Sequence, residues 1–337
     1  MSFKQRPLAE QVIVVTGASS GIGLATAQLA ARKGASVVLV ARNLDVLERV
    51  AGEIRDAGGR AIACAADVGS EAEVERAAEE ALRAFGRIDT WVNDAGASVY
   101  GAAMEVEVED MRRLFETNVW GVVHGSRAAV KRMRAAGGTL INVGSIVSDL
   151  AIPMQSAYVA SKHASKGFTD CLRIELEREG APIIVTLVKP AGIDTPFFAH
   201  ARNYMPKHPT VPPPAYAPEV VAEAIVNCCE HPHRDVTVGG AGKLQVALYG
   251  LAPAVADKLL ARTMVEAQQR KTPRAEQRDS LYNPLGSTGD VHGDYEGRAL
   301  RSSAYTAVEL RARPLLATVA ALALVAGVTA VVSRALR

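Results

Sequence analysis

A tyrosine and a lysine lie four residues apart in the stretch SAYVASKHA, which runs from Ser156 to Ala164. At this spacing Tyr158 and Lys162 share one face of a helix, so the ammonium group can stabilise the tyrosinate. Such a neighbour lowers the pKa of a phenol from about 10 toward neutrality, and the phenol then acts as a general acid and base. The alternative is that both side chains are solvated on an exposed helix.

A glycine-rich turn near the amino terminus suits the binding of a pyrophosphate. In VIVVTGASSGIGLATAQLAARKGASVVLVAR, the residues Gly17, Gly21 and Gly23 stand where a strand-like run passes into a helical one. Glycines permit a tight turn and close approach of the backbone, and the N-terminus of the following helix presents free N–H groups and a partial positive charge. Because the turn lies inside a strand-helix-strand unit, it predicts a dinucleotide site.

The end of the next strand indicates which dinucleotide binds. An acidic residue there would accept a hydrogen bond from the ribose 2′-hydroxyl group of NAD(H). The sequence instead has Ala41 followed by Arg42, and a guanidinium group is suited to a 2′-phosphate. We therefore expect NADP(H) as the cofactor, with a solvated loop arginine as the alternative.

These residues must be positioned by a regular alternation of strand-like and helix-like segments over residues 1–243. The strand-like runs are VIVVTG, ASVVLVA, AIACAADV, DTWVNDAG, GTLINVGS, PIIVTLVKP and DVTVGG. They are rich in Val and Ile and almost wholly apolar, which is typical of buried parallel strands. The alternation predicts an α/β fold: one doubly wound parallel sheet of about seven strands with helices on both faces.

Several short motifs, taken in order along residues 10–240, resemble those of the short-chain dehydrogenase/reductase family. They are TGASSGIG (16–23), DV (67–68), NDAG (93–96), TNVWG (117–121), INVGS (141–145), YVASK (158–162) and KPAGIDTP (189–196). The resemblance implies a Rossmann-type fold, and it makes Tyr158 the general acid and base. Lys162 then holds the nicotinamide ribose and lowers the pKa of the tyrosine.

The same resemblance implies roles for the other motif residues. Ser145 binds the substrate oxygen, and Asn118 completes a water-linked proton relay. Hydride passes between the nicotinamide and a carbonyl carbon while Ser145 and Tyr158 donate hydrogen bonds to the oxygen. The residues expected to bind the cofactor are Thr16, Gly17, Ser19, Ser20, Gly21, Ile22, Gly23, Arg42, Asp67, Val68, Asn93, Ala95, Gly96, Tyr158, Lys162, Pro190 and Thr195.

Two positions depart from the family pattern. Asp94 stands where the family has a second asparagine, and Ala191 follows Pro190 where the family has glycine, with Gly192 one place later. Neither change removes a reacting group. Both concern the geometry of loops beside the expected cofactor.

Two segments are expected to enclose the substrate. Residues 196–218 form a long proline-rich segment, and residues 148–155 stand directly before the tyrosine. Their apolar content suits an apolar ligand, although the aromatic side chains of 196–218 would also suit packing on the domain. The side chains concerned are Phe197, Phe198, Tyr204, Met205 and Tyr216 on one wall, and Leu150, Ile152 and Met154 on the other.

Charge and cysteine content bear on other classes of protein. The 337 residues have a net charge of +2 with scattered basic side chains, so we expect no nucleic-acid partner. The four cysteines Cys64, Cys171, Cys228 and Cys229 lack ligand spacing and are expected in the core, with neither a disulfide nor a metal site. The amino terminus lacks the apolar stretch of a secretory signal.

Beyond residue 243 the alternation ends. We expect a helical extension over 244–270 and a flexible polar linker over 271–313. At 314–334, nineteen uncharged residues between Pro314 and Arg334 predict a transmembrane helix, which at this length would span about 28 Å. Flanking arginines and the preceding linker favour this membrane anchor over a buried core helix or an oligomerisation helix.

The combined prediction is a membrane-anchored oxidoreductase that uses NADP(H) to interconvert a carbonyl and an alcohol, on an apolar substrate. Because no secretory signal is present, the catalytic domain is expected on the cytoplasmic side. The family resemblance implies a homo-oligomer, either a dimer or a tetramer. A dehydrogenase of a small polar metabolite is one alternative. A non-catalytic NADP(H)-binding sensor is another, which the presence of all four reacting residues disfavours.

Overall fold

The structure is a computed structural model, and it describes residues 5–273, 278–285 and 289–311. Its strands are β1 (Val12–Thr16), β2 (Ser36–Ala41), β3 (Arg60–Ala65), β4 (Thr90–Asn93), β5 (Val99–Tyr100), β6 (Gly138–Val143), β7 (Ile183–Pro190), β8 (Arg202–Asn203), β9 (Lys207–Pro209), β10 (Asp235–Val238) and β11 (Gln269–Pro273).

Helices lie between the successive strands of the main sheet. They are α1 (Gly21–Arg32), α2 (Leu44–Asp56), α3 (Glu71–Phe85), α4 (Val108–Phe115), α5 (Gly121–Met133), α6 (Ser156–Arg178), α7 (Phe197–His200), α8 (Pro218–Glu230), α9 (Gly240–Leu251), α10 (Pro253–Ala267) and α11 (Ala304–Arg311). A π-helical turn, Glu116–Trp120, joins α4 to α5.

Within the described residues, seven strands form one sheet in the order β10-β7-β6-β4-β1-β2-β3, and each neighbouring pair is parallel. This confirms the predicted seven-stranded doubly wound fold. The strand order reverses between β1 and β4, which leaves a crevice at their carboxyl ends where open α/β sheets bind ligands.

Apolar side chains cover both faces of the sheet because alternate residues of a strand point to opposite sides. Ile13 and Val15 of β1 pack in one core with α1, α2 and α8, whereas Val12 and Val14 pack in a second core with α3, α5 and α6. Cys64, Cys228 and Cys229 are buried as expected. Cys171 differs, because it lies on the outward face of α6 and is exposed.

The chain after β10 packs back on the domain. The stretch 244–270 is occupied mainly by α9 and α10, which lie directly after the sheet. The described residues of 271–313 differ from the expected flexible linker. Leu281 is only 1% exposed and packs with Val99, Val106 and Leu114, while Thr306 of α11 accepts a hydrogen bond from the Gly239 amide. The apolar side chain of Leu281 is the physical reason for this packing.

Within residues 5–273, 278–285 and 289–311, no helix is both long and apolar enough to cross a bilayer. The transmembrane helix predicted for 314–334 lies outside the described residues.

Candidate active site

A cavity of about 290 Å³ lies at the carboxyl ends of the central strands. Its walls come from the turn after β1, the end of β2 and the loops after β4, β6 and β7. The predicted residues that line it are Gly17, Ser19, Ser20, Gly21, Ile22, Arg42, Asp67, Val68, Ala95, Gly96, Ser145, Tyr158, Lys162, Pro190 and Thr195.

The glycine-rich turn is held against the loop after β4. Gly17 has a φ of +72°, and a Cβ atom at this residue would lie 2.9 Å from the backbone nitrogen of Ala95. A Cβ atom at Gly23 would lie 2.4 Å from the carbonyl oxygen of Gly17. A side chain at either glycine would therefore clash with backbone, which explains why the turn needs glycine.

Three predicted cofactor residues lie beneath the cavity and do not line it. The Thr16 hydroxyl accepts hydrogen bonds from the amides of Asp94 and Ala95, at 3.1 and 3.2 Å. The Asn93 side chain donates to Asn142 at 2.9 Å, inside the sheet. Gly23 provides the close packing described above. In this structure these residues therefore support the walls of the cavity.

Tyr158 and Lys162 both point into the cavity from α6. The Lys162 side chain is buried, and its Nζ donates a hydrogen bond of 2.9 Å to the carbonyl oxygen of Val143 at the end of β6. The same nitrogen lies 5.7 Å from the centre of the Tyr158 ring. Ser145 lies two residues after the end of β6 and lines the same cavity, close enough to the Tyr158 hydroxyl to lower its pKa. The helical spacing brings the phenol and the ammonium group to one cavity, and the loop after β6 adds the serine.

The electrostatics of this cluster differ from the sequence expectation. Desolvation by burial raises the pKa of Tyr158, the neighbouring Ser145 side chain lowers it, and the charge of Asp94 raises it. Burial lowers the pKa of Lys162 to about 8, although the charge of Asp94 acts in the opposite direction. A lowered pKa of the phenol was expected from Lys162, whereas removal of the hydroxyl from water raises the pKa here.

Asp94, the first departure from the motif pattern, lies close enough to Lys162 for their charges to interact. Burial raises its pKa to about 7, while the charge of Lys162 and a hydrogen bond from the Gly23 amide lower it. The second departure is accommodated by small neighbours. A Cβ atom at Gly239 or Gly242 would lie 2.8 Å from the Ala191 methyl group, so two glycines make room for this alanine.

Asn118 lies in the π-helical turn and is fully buried. Its Oδ1 accepts a hydrogen bond of 2.8 Å from the Ala97 amide. Its Nδ2 donates to the Ala97 carbonyl at 2.9 Å and to the Ser161 hydroxyl at 3.0 Å. The side chain therefore joins the loop after β4 to helix α6, just below Lys162, and does not itself line the cavity.

Aromatic side chains surround the end of the cavity beyond the tyrosine. The ring of Phe197 lies 5.5 Å from that of Tyr158, and the ring of Phe198 lies 6.3 Å from that of Tyr100. Other residues at this end are Ile152, Gln155, Gln245 and Met264. Of the predicted wall residues, Leu150, Met154, Tyr204, Met205 and Tyr216 do not line the cavity; Met205 and Tyr216 are buried in the domain.

Arg42 stands at the opposite end of the cavity, where a short segment from the carboxyl-terminal part of the chain covers it. We call residues 278–285 the strap. The Arg42 guanidinium donates hydrogen bonds to three backbone carbonyl oxygens of the strap. They belong to Ser280, to Leu281 (3.3 Å) and to Tyr282 (3.1 Å). Asn43 donates to the carbonyl of Leu285 at 3.2 Å.

The strap residues Ser280, Pro284 and Leu285 line the cavity and were not expected there. The sequence signal consists of Leu281 and Leu285 within a mostly polar run, which does not indicate the elements that the strap contacts. In the part of the chain that the structure describes, His, Cys, Asp and Glu side chains form no group of three or more suited to a metal ion.

Comparison with known proteins gives consistent matches over most of the chain. A short chain dehydrogenase family profile matches residues 11–205. The uncharacterized oxidoreductase YxnA of Bacillus subtilis is 44% identical over 331 residues, which is 97% of this chain and 91% of that protein. A 3beta-hydroxysteroid dehydrogenase of Mediterraneibacter gnavus is 36% identical over 190 residues, covering 56% of this chain and 67% of that protein.

Two solved structures share the fold. An alcohol dehydrogenase from Thermococcus sibiricus, complexed with 5-hydroxy-NADP, has a TM-score of 0.60 and 27% identity, over 67% of this chain and 95% of that one. A short chain dehydrogenase/reductase from Burkholderia phymatum, in complex with NAD, has a TM-score of 0.67 and 26% identity, over 82% of this chain and 99% of that one.

Proposed function

This chain belongs to the short chain dehydrogenase family, and we propose that it interconverts a carbonyl group and an alcohol by hydride transfer with NADP(H). Family membership makes it an oxidoreductase with a fold that binds a nicotinamide cofactor. The observation that carries the proposal is the meeting of Tyr158, Ser145 and Lys162 in the cavity that also contains the glycine-rich turn.

The residues around the turn fit a dinucleotide. Gly17 and Gly23 have no room for a side chain, and Gly21 begins helix α1, whose N-terminus suits a pyrophosphate. Asp67, Val68 and the other lining residues of that wall would enclose the adenosine. When bound, the cofactor supplies or accepts the hydride.

Side chains of the protein bind the substrate oxygen and transfer its proton. We assign Tyr158 as the group that donates a proton to the carbonyl oxygen on reduction and takes it back on oxidation. Ser145 holds the same oxygen, where negative charge develops. The positive charge of Lys162 supports the tyrosinate and positions the cofactor. Asn118 holds the loop after β4 against α6, and its part in a water-linked proton relay stays a prediction.

Two observations support NADP(H) over NAD(H). No carboxylate follows β2, and Arg42 at that place reaches the wall of the cavity. Burial lowers the pKa of Arg42, the charge of Asp67 raises it, and the charge of Arg113 lowers it. A guanidinium group at this end of the cavity favours an additional phosphate.

An apolar substrate is supported by the side chains at the other end of the cavity. Tyr100, Phe197, Phe198, Ile152 and Met264 surround the position beyond Tyr158. The similarity to a 3beta-hydroxysteroid dehydrogenase is in keeping with a lipophilic alcohol or ketone.

Membrane attachment through 314–334 and assembly into a dimer or tetramer are further parts of the proposal. With its catalytic domain on the cytoplasmic side, the protein would meet lipophilic substrates that partition into a bilayer. Full-length protein is expected in the membrane fraction, and a chain ending at residue 313 in the supernatant. A full-length chain that stays in the supernatant would rule out the anchor.

The function is tested by incubating the full-length protein with NADPH and a panel of apolar and polar ketones and aldehydes, with oxidation of NADPH followed by absorbance. Turnover, faster on the apolar members, is expected. Binding of NADPH without turnover on any member would contradict the proposal and favour a sensor, whereas turnover confined to small polar carbonyls would remove only the apolar substrate.

A further inference from the structure

We propose that the strap is a cofactor-selectivity element that weakens the binding of a 2′-phosphate through its backbone carbonyl groups. This inference rests on the proposed use of a nicotinamide dinucleotide. The strap forms the outer wall of the cavity at the end marked by Arg42 and Asn43, through Ser280, Pro284 and Leu285.

The strap presents three converging oxygen acceptors to one guanidinium group. The carbonyls of Ser280, Leu281 and Tyr282 all accept hydrogen bonds from the two terminal nitrogens of Arg42. A guanidinium group has five N–H donors, and these three contacts use most of them. Few donors remain to form hydrogen bonds with a phosphate. A phosphate bound to these nitrogens would therefore compete with the carbonyl oxygens for the same donors.

This arrangement affects the two cofactors unequally. A 2′-phosphate must displace the carbonyl groups from Arg42 or bind with the few donors that remain. A ribose 2′-hydroxyl needs no such displacement, because it can itself donate to a carbonyl oxygen that still has a free lone pair. The energetic cost of moving the strap thus falls on NADP(H) and not on NAD(H).

The strap is anchored by contacts remote from Arg42. Asp110 of α4, which is 4% exposed, accepts a hydrogen bond of 2.8 Å from the Tyr282 hydroxyl. Its other oxygen accepts from the Tyr204 hydroxyl at 2.6 Å and from Arg202 at 2.9 Å. Arg202 also contacts Asp279 of the strap, at 3.0 Å.

The carboxylate of Asp110 stays charged in this network. Burial raises its pKa, but hydrogen bonds from Tyr204 and Tyr282 and the charge of Arg202 lower the pKa overall. Arg113, also on α4, donates a hydrogen bond of 3.1 Å to the carbonyl of Leu281. Helix α4 therefore holds the strap in place, and Asp110 is a positioning residue that joins it to the segment carrying Arg202.

A second contact of the carboxyl-terminal segment acts on both cofactors alike. The Asp290 carbonyl accepts a hydrogen bond of 2.9 Å from the Gly21 amide, at the N-terminus of α1. The pyrophosphate is common to NAD(H) and NADP(H), so this contact cancels in the ratio of the two affinities. The ratio isolates the effect of the strap on Arg42.

The experiment measures dissociation constants for NADPH and NADH, by fluorescence of the reduced nicotinamide, and kcat/KM with each cofactor. The proteins are the full-length chain, Tyr282→Phe, Asp110→Asn and the control Glu109→Gln, an exposed carboxylate next to Asp110 on α4. Loosening the anchor should raise the NADPH preference over NADH about threefold for Tyr282→Phe and about tenfold for Asp110→Asn. The control should leave this ratio unchanged.

The proposal would be overturned if the preference for NADPH over NADH stayed constant, or shifted toward NADH, in both variants. If Asp110 had only a structural role, its substitution would weaken the binding of NADPH and NADH equally. The ratio of the two affinities would then also stay constant. Should Asp110→Asn fail to fold, Tyr282→Phe decides, because it removes one hydroxyl group. The dissociation constants test the strap even if the full-length protein shows no turnover, and that second result would count against the proposed function alone.

Discussion

The ammonium nitrogen of Lys162 lies 5.7 Å from the centre of the Tyr158 ring, one turn farther along α6. The lysine is fixed there by its hydrogen bond to the Val143 carbonyl, so strand β6 determines the distance between the two side chains. Burial places the pKa of the tyrosine above its ordinary value and that of the lysine at about 8. A raised pKa favours the protonated phenol, which is the state needed to donate a proton to a carbonyl oxygen.

Asp94→Asn is expected to change how stability depends on pH. Burial raises the pKa of Asp94 from 3.8 to about 7, so the folded protein binds this proton more tightly than the unfolded chain. The stabilisation is complete below 3.8 and is lost as the pH rises toward about 7. Relative to the wild type, the variant should therefore gain free energy of unfolding as the pH rises through this window.

Urea unfolding at both ends of the window measures the difference, with Asp257→Asn, an exposed carboxylate on α10, as the control. A difference between Asp94→Asn and the wild type that stays the same at both pH values would show that the carboxyl group titrates normally.

Gly17→Ala should abolish cofactor binding and destabilise the fold. The new methyl group would lie 2.9 Å from the backbone of Ala95, at a φ of +72°. Gly180→Ala is a matched control, because Gly180 has a φ of +66° but no atom within 4 Å of its added Cβ. The control variant should be destabilised only by the backbone strain of an alanine at positive φ, about 1 kcal/mol. Equal losses of thermal stability and NADPH binding in the two variants would argue against the close approach of the turn to the β4 loop.

Arg42→Asp should shift cofactor preference toward NADH. The substitution removes the cation expected to bind a 2′-phosphate and supplies an acceptor for the ribose 2′-hydroxyl. Removing a charge-assisted hydrogen bond predicts a loss of NADPH affinity of about tenfold or more. Titration with both reduced cofactors measures the shift, and an unchanged preference would mean that Arg42 serves only to hold the strap.

The sheet and the candidate site could be predicted from sequence because their signals are local. Each strand is an apolar run rich in Val and Ile, and the order of the motifs brings the ends of β1, β4 and β6 together once the sheet is parallel. The Tyr158 and Lys162 pair depends only on the spacing within one helix. Such features need no knowledge of distant contacts.

The strap could not be predicted because its contacts are distant in sequence. Leu281 and Leu285 are its aliphatic residues, but the strap is held by Arg42 and Asp110, which lie far away along the chain. A backbone carbonyl that meets an arginine has no signature in the side-chain sequence. The raised pKa of Tyr158 has the same origin, because desolvation depends on how completely neighbouring segments cover the hydroxyl.

The most direct test of the account compares Tyr158→Phe with the wild type in NADPH-dependent carbonyl reduction and in NADPH binding. Loss of the proton donor should lower kcat by about 100-fold to 10,000-fold. The dissociation constant for NADPH should change little, because Lys162 and the glycine-rich turn remain. A Tyr158→Phe enzyme that reduces its substrate at a near-normal rate would contradict the role assigned to this hydroxyl group.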